Sequence, residues 1–275
     1  MEGATNVFDS ILLAIDPVAL KLGPISVRWY GVIIATGIVI AYIVGQREMR
    51  KRGFNEDFLT DLLIWAVPIS IICARIYYVI FEWPYYASHP DQIIQIWHGG
   101  IAIHGALIGA FITAIIFTRK RGVSFWKVAD ILAPSLIIGQ IVGRWGNFMN
   151  QEAYGGVVSR SFLESLHLPN WLIEQMNVNG FYHHPTFLYE SLWNLVGLVL
   201  LLLLRKVNLR RGEIFLTYIM WYSFGRFFIE GMRTDSLLIG NLRMAQIVSL
   251  IGLIVGAILI IYRRVTIKKP VRYKD

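Results

Sequence analysis

Cysteine is nearly absent from this sequence, since Cys73 is the only one in 275 residues. A single cysteine excludes an internal disulfide and any zinc site built on cysteine ligands. Histidine does not replace it, because His183 and His184 are direct neighbours without metal-ligand spacing and no His-Glu-x-x-His motif occurs. The sequence therefore predicts no metal and no cofactor.

Charge is also scarce, at 16% of residues, whereas 56% are hydrophobic. A soluble domain of this length carries about a quarter charged residues. Three uncharged runs of 17, 20 and 19 residues match the hydrocarbon core of a bilayer in length: Trp29–Gly45, Gly99–Thr118 and Met244–Tyr262. Four more runs are each broken by one charge: Leu62–Phe81 by Arg75, Ile131–Phe148 by Arg144, Pro185–Leu204 by Glu190 and Ile214–Ile229 by Arg226.

We therefore predict an all-α integral membrane protein, one polytopic domain over residues 1–275 that crosses the bilayer seven times. The predicted helices have approximate bounds at residues 25–45, 59–81, 99–118, 128–148, 185–204, 213–230 and 243–262. The connection at about 149–184 is too long for a turn, so we expect an ordered outer loop or cap there. Residues 7–15 are a candidate amphipathic helix on the outer surface.

Basic residues are distributed unevenly among the connections. Of the 26 Lys and Arg residues, 18 lie at 46–57, 118–127, 205–211 and 263–274, whereas the connections at 82–97 and 149–184 together hold only Arg160. By the positive-inside rule, the N-terminus is outside and the C-terminus is cytoplasmic. The net charge of +8 then reflects topology and attraction to anionic lipid headgroups, and it does not indicate nucleic-acid binding.

With this topology, seven ionisable residues lie toward the outer ends of their predicted helices: Arg28, Arg75, His104, Arg144, Glu190, Arg226 and Arg243. An ionisable residue at membrane depth costs about a few kcal/mol and usually marks a functional site. Snorkelling to the interface is the alternative explanation, and it suffices for Arg28, Arg75 and Arg243.

Snorkelling is a weaker explanation for two helix faces, because each carries several polar residues at helical spacing. One has Gln140, Arg144 and Asn147; the other has Tyr222, Arg226, Glu230 and Arg233. Two such faces at one depth predict a wet cavity, although a purely structural network in which Glu152 or Glu190 pairs with Arg144 stays open. Because guanidinium groups grip oxygen atoms bidentately, a cavity of this kind suits a lipid phosphodiester.

The segment from Gly143 to Gly155 reads Gly-Arg-Trp-Gly-Asn-Phe-Met-Asn-Gln-Glu-Ala-Tyr-Gly. It resembles the signature of the prolipoprotein diacylglyceryl transferase family. Further family segments follow the expected order: Arg28–Gly31, Ala74–Tyr78, Gly99–Gly105, His184–Glu190, Tyr222–Arg226, Glu230–Arg233 and Gln246–Ser249. The resemblance covers nearly the whole chain and departs at Ala106, where family members often have a second glycine after His-Gly.

The resemblance implies an enzyme of the bacterial cytoplasmic membrane with two substrates, phosphatidylglycerol and a prolipoprotein signal peptide with its lipobox cysteine. The diacylglyceryl group moves to the thiol as a thioether and glycerol phosphate leaves, in the first step of lipoprotein maturation. By match to the signature, Arg144 holds the donor headgroup while Asn147 and Glu152 shape the site. Arg226 and Tyr222 assist the leaving phosphate or the second substrate. The other substrate-binding candidates are Gly155, Tyr30, Arg75 and Arg233.

His104 is the candidate general base, because the thiolate and not the thiol is the nucleophile. A structural imidazole that hydrogen-bonds a loop stays equally open. Two other functions compete with the transferase. A transporter or flippase requires polar groups along the inner half of the helices, where the sequence has almost none. A non-catalytic scaffold that binds anionic lipid would tolerate Arg144→Lys, whereas a bidentate phosphate site would not.

Overall fold

The computed structural model describes residues 15–23, 25–235, 238–240 and 242–275. The candidate amphipathic helix at 7–15 lies outside the described residues except for its last residue. The described chain is mostly helical. Its α-helices are α1 (Trp29–Lys51), α2 (Phe58–Phe81), α3 (Trp83–Tyr86), α4 (Ile103–Lys120), α5 (Phe125–Met149), α6 (Arg160–Ser165), α7 (Asn170–Gln175), α8 (Thr186–Val207), α9 (Glu213–Met232) and α10 (Met244–Thr266).

Within the described ranges the strands are short and form three antiparallel sheets. They are β1 (Val18–Leu22), β2 (Ile25–Arg28), β3 (Val157–Val158), β4 (Asn177–Val178), β5 (Phe181–His183), β6 (Leu238–Ile239) and β7 (Leu242–Arg243). β1 pairs with β2, β6 pairs with β7, and β5 lies between β3 and β4. The first and the last of these sheets are therefore hairpins, whereas the chain between β3 and β5 includes α6, α7 and β4.

Among the described residues, six helices are long and apolar enough to cross a membrane, namely α1, α2, α4, α5, α8 and α10. This confirms a helical membrane protein with several spans. The remaining long helix, α9, has 20 residues but includes Glu213, Arg226 and Glu230. Three charges in one span of that length exceed what an apolar helix normally carries into lipid.

Two helices begin later in the structure than the sequence predicts. Gly99 and Gly100 have φ angles of 89° and 73°, which an α-helix does not accommodate, so α4 begins only at Ile103. Residues Ile25–Arg28 form β2, which pairs with β1, and α1 follows directly from Trp29. In both cases the first residues of the predicted helix lie in a turn or a strand in the structure.

The helices group into two compact units, one of residues 1–44 with 132–275 and the other of residues 45–131. In the smaller unit, α2 and α4 approach closely where Gly105 faces Cys73. A β-carbon added to Gly105 would lie 2.4 Å from the Cys73 carbonyl oxygen, so only glycine permits this contact. The backbone N–H of Ala102 donates to the Ala74 carbonyl at 3.1 Å, which fixes the start of α4 against α2.

In the larger unit, α9 packs between α8 and α10. A β-carbon on Gly252 of α10 would lie 2.5 Å from Ser223 Oγ, and one on Gly256 would lie 2.6 Å from Met220 Cγ. Small residues in these contacts let the helix backbones approach, as is usual in membrane helix packing. The approach brings the polar face of α9 next to α8.

The predicted ordered segment between α5 and α8 is a small folded cap. It contains β3, α6, α7, β4 and β5 around a hydrophobic core: Phe148, Leu163, Leu172, Ile173, Met176 and Phe187. Arg160 fastens α6 to the rest of the cap, since its guanidinium contacts Glu164 at 2.9 Å, Glu174, and the Tyr182 hydroxyl at 2.9 Å. Phe148 and Phe187 belong to α5 and α8, so the cap core continues into the ends of both helices.

Candidate functional site

A buried carboxylate joins two arginines from different helices. Glu190, in the second turn of α8, lies 2.8 Å from Arg144 Nη2 on α5 through one oxygen and 2.9 Å from Arg226 Nη1 on α9 through the other. The Glu190 side chain is only 3% exposed, whereas those of Arg144 and Arg226 are 19% and 13% exposed. Each arginine side chain therefore stays partly exposed while its charge is compensated by the buried carboxylate.

The charge cluster continues along α9. Arg226 Nη2 lies 2.6 Å from Glu230 one turn later, and Arg233 lies 3.9 Å from the same oxygen. Arg233 is held more firmly by Asp235, with two hydrogen bonds of 2.9 and 2.8 Å. Burial disfavours the ionised carboxyl, but the hydrogen bonds and charge of Arg233 outweigh it and hold the pKa of Asp235 below its usual value.

Arg243, just before α10, closes the end of α9. Its Nη1 donates to the backbone carbonyl of Glu230 and, at 2.8 Å, to that of Arg233. The last carbonyls of a helix have no partner within the helix, and a cation there also offsets the negative end of the helix dipole. Arg243 is thus a helix-capping residue that fixes the position of Glu230 and Arg233.

A chain of polar side chains leads from Arg144 out of α5. Arg144 Nη1 donates to Asn147 Oδ1 at 3.2 Å, and Asn147 Nδ2 donates to Glu152 at 2.8 Å. Gln151 and Ala153 have positive φ angles of 51° and 58°, so the backbone turns directly after the helix. This turn brings the Glu152 carboxylate to Asn147. The i, i+3 spacing on α5 brings the first pair together, and the turn brings the third residue to them.

Tyr222 and Tyr218 lie on the face of α9 that meets this cluster. The Tyr222 hydroxyl interacts with the Arg144 side chain and lies within electrostatic reach of the shared carboxylate. The Tyr218 hydroxyl accepts a hydrogen bond of 2.9 Å from Gln140 Nε2. The two polar faces predicted from residue spacing on α5 and α9 are therefore in mutual contact.

Two glycines permit close approach of other candidates. A β-carbon on Gly146 would lie 2.9 Å from the ring of Tyr30, so this ring packs directly on the turn of α5 that carries Asn147. Gly155 meets the start of α8 and the end of α9: a β-carbon there would lie 2.7 Å from His184 Cβ and 3.1 Å from the Met232 carbonyl oxygen. Its backbone N–H donates to the His184 carbonyl at 3.0 Å.

Arg75, in the smaller unit, is committed to backbone carbonyls. Its guanidinium donates to the carbonyls of Ile93, Gly99, Gly100 and Gln92 at 2.6–2.8 Å. The residue is 7% exposed. These bonds hold the loop between α3 and α4 on α2, beside a cavity of about 260 Å³.

His104, also in the smaller unit, occupies the first turn of α4. Its ring centroid lies 6.0 Å from that of Tyr77. The described residues give its imidazole no hydrogen-bond partner.

Sequence reasoning found Arg144, Asn147, Glu152, Tyr222 and Arg226, which the structure brings together. It treated Glu190 only as a possible partner for Arg144 and not as a site residue, and it missed that one carboxylate serves both arginines. The available signal was the single charge in the Pro185–Leu204 run. Arg233 is joined to the cluster through Glu230, whereas Arg75 and His104 belong to the other unit.

Comparison with known proteins gives a match over most of the chain. The family model described as prolipoprotein diacylglyceryl transferase matches residues 17–262. A relative from Lysinibacillus sphaericus, named phosphatidylglycerol–prolipoprotein diacylglyceryl transferase, is 67% identical over 270 residues, covering 97% of this chain and 99% of the relative. Relatives of the same name from Bacillus velezensis and Listeria monocytogenes are each 59% identical, over 95% of this chain and 97% and 94% of their own lengths.

Proposed function

The chain belongs to the prolipoprotein diacylglyceryl transferase family, and from this premise we propose that it transfers the diacylglyceryl group of phosphatidylglycerol to a prolipoprotein cysteine thiol. The proposal rests on the buried Arg144–Glu190–Arg226 cluster. In this cluster both guanidinium groups contact the same carboxylate, which holds them close together. The acceptor is the lipobox cysteine of the signal peptide. The products are a thioether and glycerol phosphate, and the reaction begins lipoprotein maturation.

The enzyme lies in the bacterial cytoplasmic membrane with seven spans, its N-terminus outside and its C-terminus in the cytoplasm. The distribution of Lys and Arg supports this orientation, since 18 of 26 lie in alternate connections and the tail. The span added to the six apolar helices is α9, which is the sixth in chain order. Its three charges are compatible with lipid because Glu213 contacts Arg264 at 2.7 Å, and Arg226 and Glu230 pair with each other.

The reaction exchanges one bond for another at the glyceryl carbon of the donor lipid. The thiolate sulfur attacks the carbon that carries the phosphate, the C–O bond breaks, and its electron pair goes to the phosphate oxygen of the departing glycerol phosphate. Negative charge therefore moves from sulfur onto phosphate. Positioned cations in a partly dry site stabilise such developing charge without reorganising, which is usually the largest catalytic contribution.

Arg144 and Arg226 supply these cations. A guanidinium carries five N–H donors. In Arg144, Nη2 pairs with Glu190 and Nη1 donates to Asn147. We assign the donor phosphate to the open sides of Arg144 and Arg226, with Tyr222 as an additional hydroxyl donor. Glu190 keeps the cations compensated when no lipid is bound, because an unpaired buried charge is strongly unfavourable.

Asn147, Glu152 and Tyr30 shape the headgroup site around Arg144. Arg233 and Gly155 act at its border, where the cap meets the end of α9. Arg75 acts indirectly, since its donors are used on the loop before α4. His104 is the base that takes the thiol proton, since histidine is the side chain that most often performs such proton transfers.

A lipid-binding scaffold without activity is the second candidate, because the same arginines would bind an anionic headgroup. The two are separated with purified protein, phosphatidylglycerol and a lipobox peptide, by measuring glycerol phosphate release and thioether product. We expect release only when both substrates are present, and a loss of about a hundredfold in Arg144→Lys, because lysine cannot grip two oxygens bidentately. If the wild-type protein binds phosphatidylglycerol but releases no glycerol phosphate when both substrates are present, the scaffold function is supported and the transferase function is excluded.

A further inference from the structure

Two tryptophans, Trp193 on α8 and Trp221 on α9, join the two helices by stacking and by two hydrogen bonds. The indole rings of Trp193 and Trp221 are stacked, with centroids 4.2 Å apart and planes at 11°. Trp193 Nε1 donates to the backbone carbonyl of Trp221 at 2.9 Å, and Trp221 Nε1 donates to the carbonyl of Trp193 at 3.0 Å. We call this arrangement the tryptophan pair. Each indole is bound to the helix that carries the other.

Glycines four residues after each tryptophan make the pair possible. A β-carbon on Gly197 would lie 2.4 Å from the Trp221 ring, and one on Gly225 would lie 2.2 Å from the Trp193 ring. In an α-helix the carbonyl of residue i accepts from the N–H of residue i+4. The indole N–H therefore adds a second donor to a carbonyl whose helical partner is the glycine. The same motif of tryptophan and glycine occurs on both helices, so the contact restricts both sliding and rotation.

The pair lies close along the chain to the charge cluster. Glu190 precedes Trp193 by three residues and Arg226 follows Trp221 by five, which correspond to about 4.5 and 7.5 Å of helix rise. Arg226 and Glu190 meet at 2.9 Å. A slide of α9 by one turn, about 5.4 Å, would separate them. Much of the surface of α8 consists of leucine and valine, which pack without fixing a unique register.

We infer that Trp193 and Trp221 are positioning residues for catalysis: they hold Arg226 against Glu190 and, through this carboxylate, set its spacing from Arg144. This inference rests on the proposed function, since it assigns the spacing to the reaction. The competing explanation is that the pair contributes only to stability, because an indole N–H within a bilayer requires a partner in any case. The two explanations differ in what happens to turnover in molecules that remain folded.

The test uses the purified full-length variants Trp193→Phe and Trp221→Phe, which keep an aromatic ring and lose the N–H donor. Turnover, the KM for phosphatidylglycerol and the thermal unfolding midpoint are measured for each. We expect kcat to fall about tenfold with KM within about twofold of wild type, since small misplacement of charged groups affects the transition state more than ground-state binding. Gly225→Ala, which pushes the Trp193 ring away, should reproduce the effect.

Two matched substitutions serve as controls. Trp65→Phe removes an indole on α2 that is 61% exposed. Gly139→Ala adds a β-carbon on α5 where no atom lies within 4 Å. Both should retain wild-type kcat. Stacked indoles also give an exciton couplet in circular dichroism, which either single Trp→Phe variant at the pair should abolish.

The outcomes separate the explanations. Wild-type kcat in Trp193→Phe and Trp221→Phe overturns the inference, and so does a loss of activity that only parallels a lower unfolding midpoint or a higher KM. If the variants give the same exciton couplet as the wild-type protein, the two indole rings do not stack, and this result also overturns the inference. If the wild-type protein itself produces no thioether, the proposed function fails and the positioning role fails with it.

Discussion

At the scale of single residues, Glu190 decides how the arginines are arranged. It is a carboxylate in an apolar span that is nearly inaccessible to solvent and contacts a cation through each oxygen. Its neighbours Arg144 and Arg226 were evident from sequence as charges in otherwise apolar runs. That they share one partner depends on how α5, α8 and α9 meet, and residue spacing within one helix contains no information about this.

Replacement of Glu190 by glutamine tests the shared carboxylate. Loss of the charge leaves two buried guanidinium groups less compensated, and breaking a buried pair typically removes about 3–5 kcal/mol of unfolding free energy. We expect a clearly lower thermal midpoint together with reduced turnover. Glu164→Gln is the control, because Glu164 pairs with Arg160 on a side chain that is 52% exposed, where a salt bridge contributes about 0–1 kcal/mol. Equal stability of the two variants would contradict the role of Glu190.

His104 has a chemical prediction of its own. If it is the base, His104→Gln lowers kcat by about a hundredfold or more while phosphatidylglycerol binding stays unchanged, since general bases contribute about 10²–10⁴. Steady-state kinetics and lipid-binding isotherms measure the two effects separately. His89→Gln controls for loss of an imidazole in the same unit, because His89 is exposed and contacts Tyr85 by ring stacking and by a 3.1 Å approach of Nδ1 to its backbone carbonyl. Normal turnover in His104→Gln would exclude the base.

At the scale of elements, helix ends and hairpins were harder to predict than helix interiors. An apolar run continues through Ile101 and Ala102 into α4, but Gly99 and Gly100 adopt φ angles that only glycine reaches easily. The hairpin of β1 and β2 was missed because Ile25–Arg28 directly precede the uncharged run of α1 and were included in the predicted helix. Hydrophobicity identifies which residues are buried in lipid or protein, whereas local backbone geometry decides where the helix begins.

The C-terminal segment shows another element that composition does not predict. Tyr273 is fully buried, and its N–H donates to the Leu209 carbonyl at 2.8 Å, so the tail folds onto the connection between α8 and α9. Arg211 fastens it by donating to the carbonyls of Arg272 and Asp275 at 3.2 and 2.7 Å. From the sequence, the basic tail predicted only that the C-terminus is cytoplasmic.

Tyr273→Ala should lower the unfolding free energy by about 3 kcal/mol, as for other buried aromatic side chains, and thus lower the thermal midpoint by roughly several degrees. Turnover of the folded fraction should persist, because Leu209 lies at the opposite end of α8 from Glu190, about 25 Å along the helix. Val271→Ala is the control, since Val271 is 49% exposed. A midpoint equal to that of the control would show that the tail does not contribute.

At the scale of the whole molecule, six helices of the described part of the chain satisfy the length and composition of membrane spans. The buried cluster of the larger unit is formed by residues of α5, α8 and α9. A transporter requires polar groups along the full length of its pathway. In the orientation proposed above, the cytoplasmic halves of the helices contain few polar residues, which favours an enzyme that acts at one membrane surface.

Stability of the whole protein should depend on His184. Burial lowers the pKa of His184, so the unfolded chain binds a proton at a higher pH than the folded protein does. The resulting stability is present above the ordinary histidine pKa and decreases as pH falls below it. Tyr189, whose hydroxyl lies 3.2 Å from Nδ1, is the titratable neighbour, and it stays protonated in this range.

We expect the thermal midpoint of the wild-type protein to decrease on acidification from pH 7 to about pH 5, and the decrease to be smaller in His184→Gln. Differential scanning calorimetry at several pH values measures both. His167→Gln, in the cap, controls for removal of a histidine from the same region. Parallel pH profiles in wild type and His184→Gln would show that His184 does not contribute.

The sequence by itself determined the class of the protein, because membrane insertion depends on the length and composition of each run, and these are local properties. It also determined the family, since the Gly143–Gly155 segment carries its residues consecutively. Only the tertiary structure decided that Glu190 serves two arginines, that Arg75 binds backbone carbonyls, and that Trp193 and Trp221 hold each other's helices. These contacts join residues far apart in the chain, and their partners are selected by helix packing.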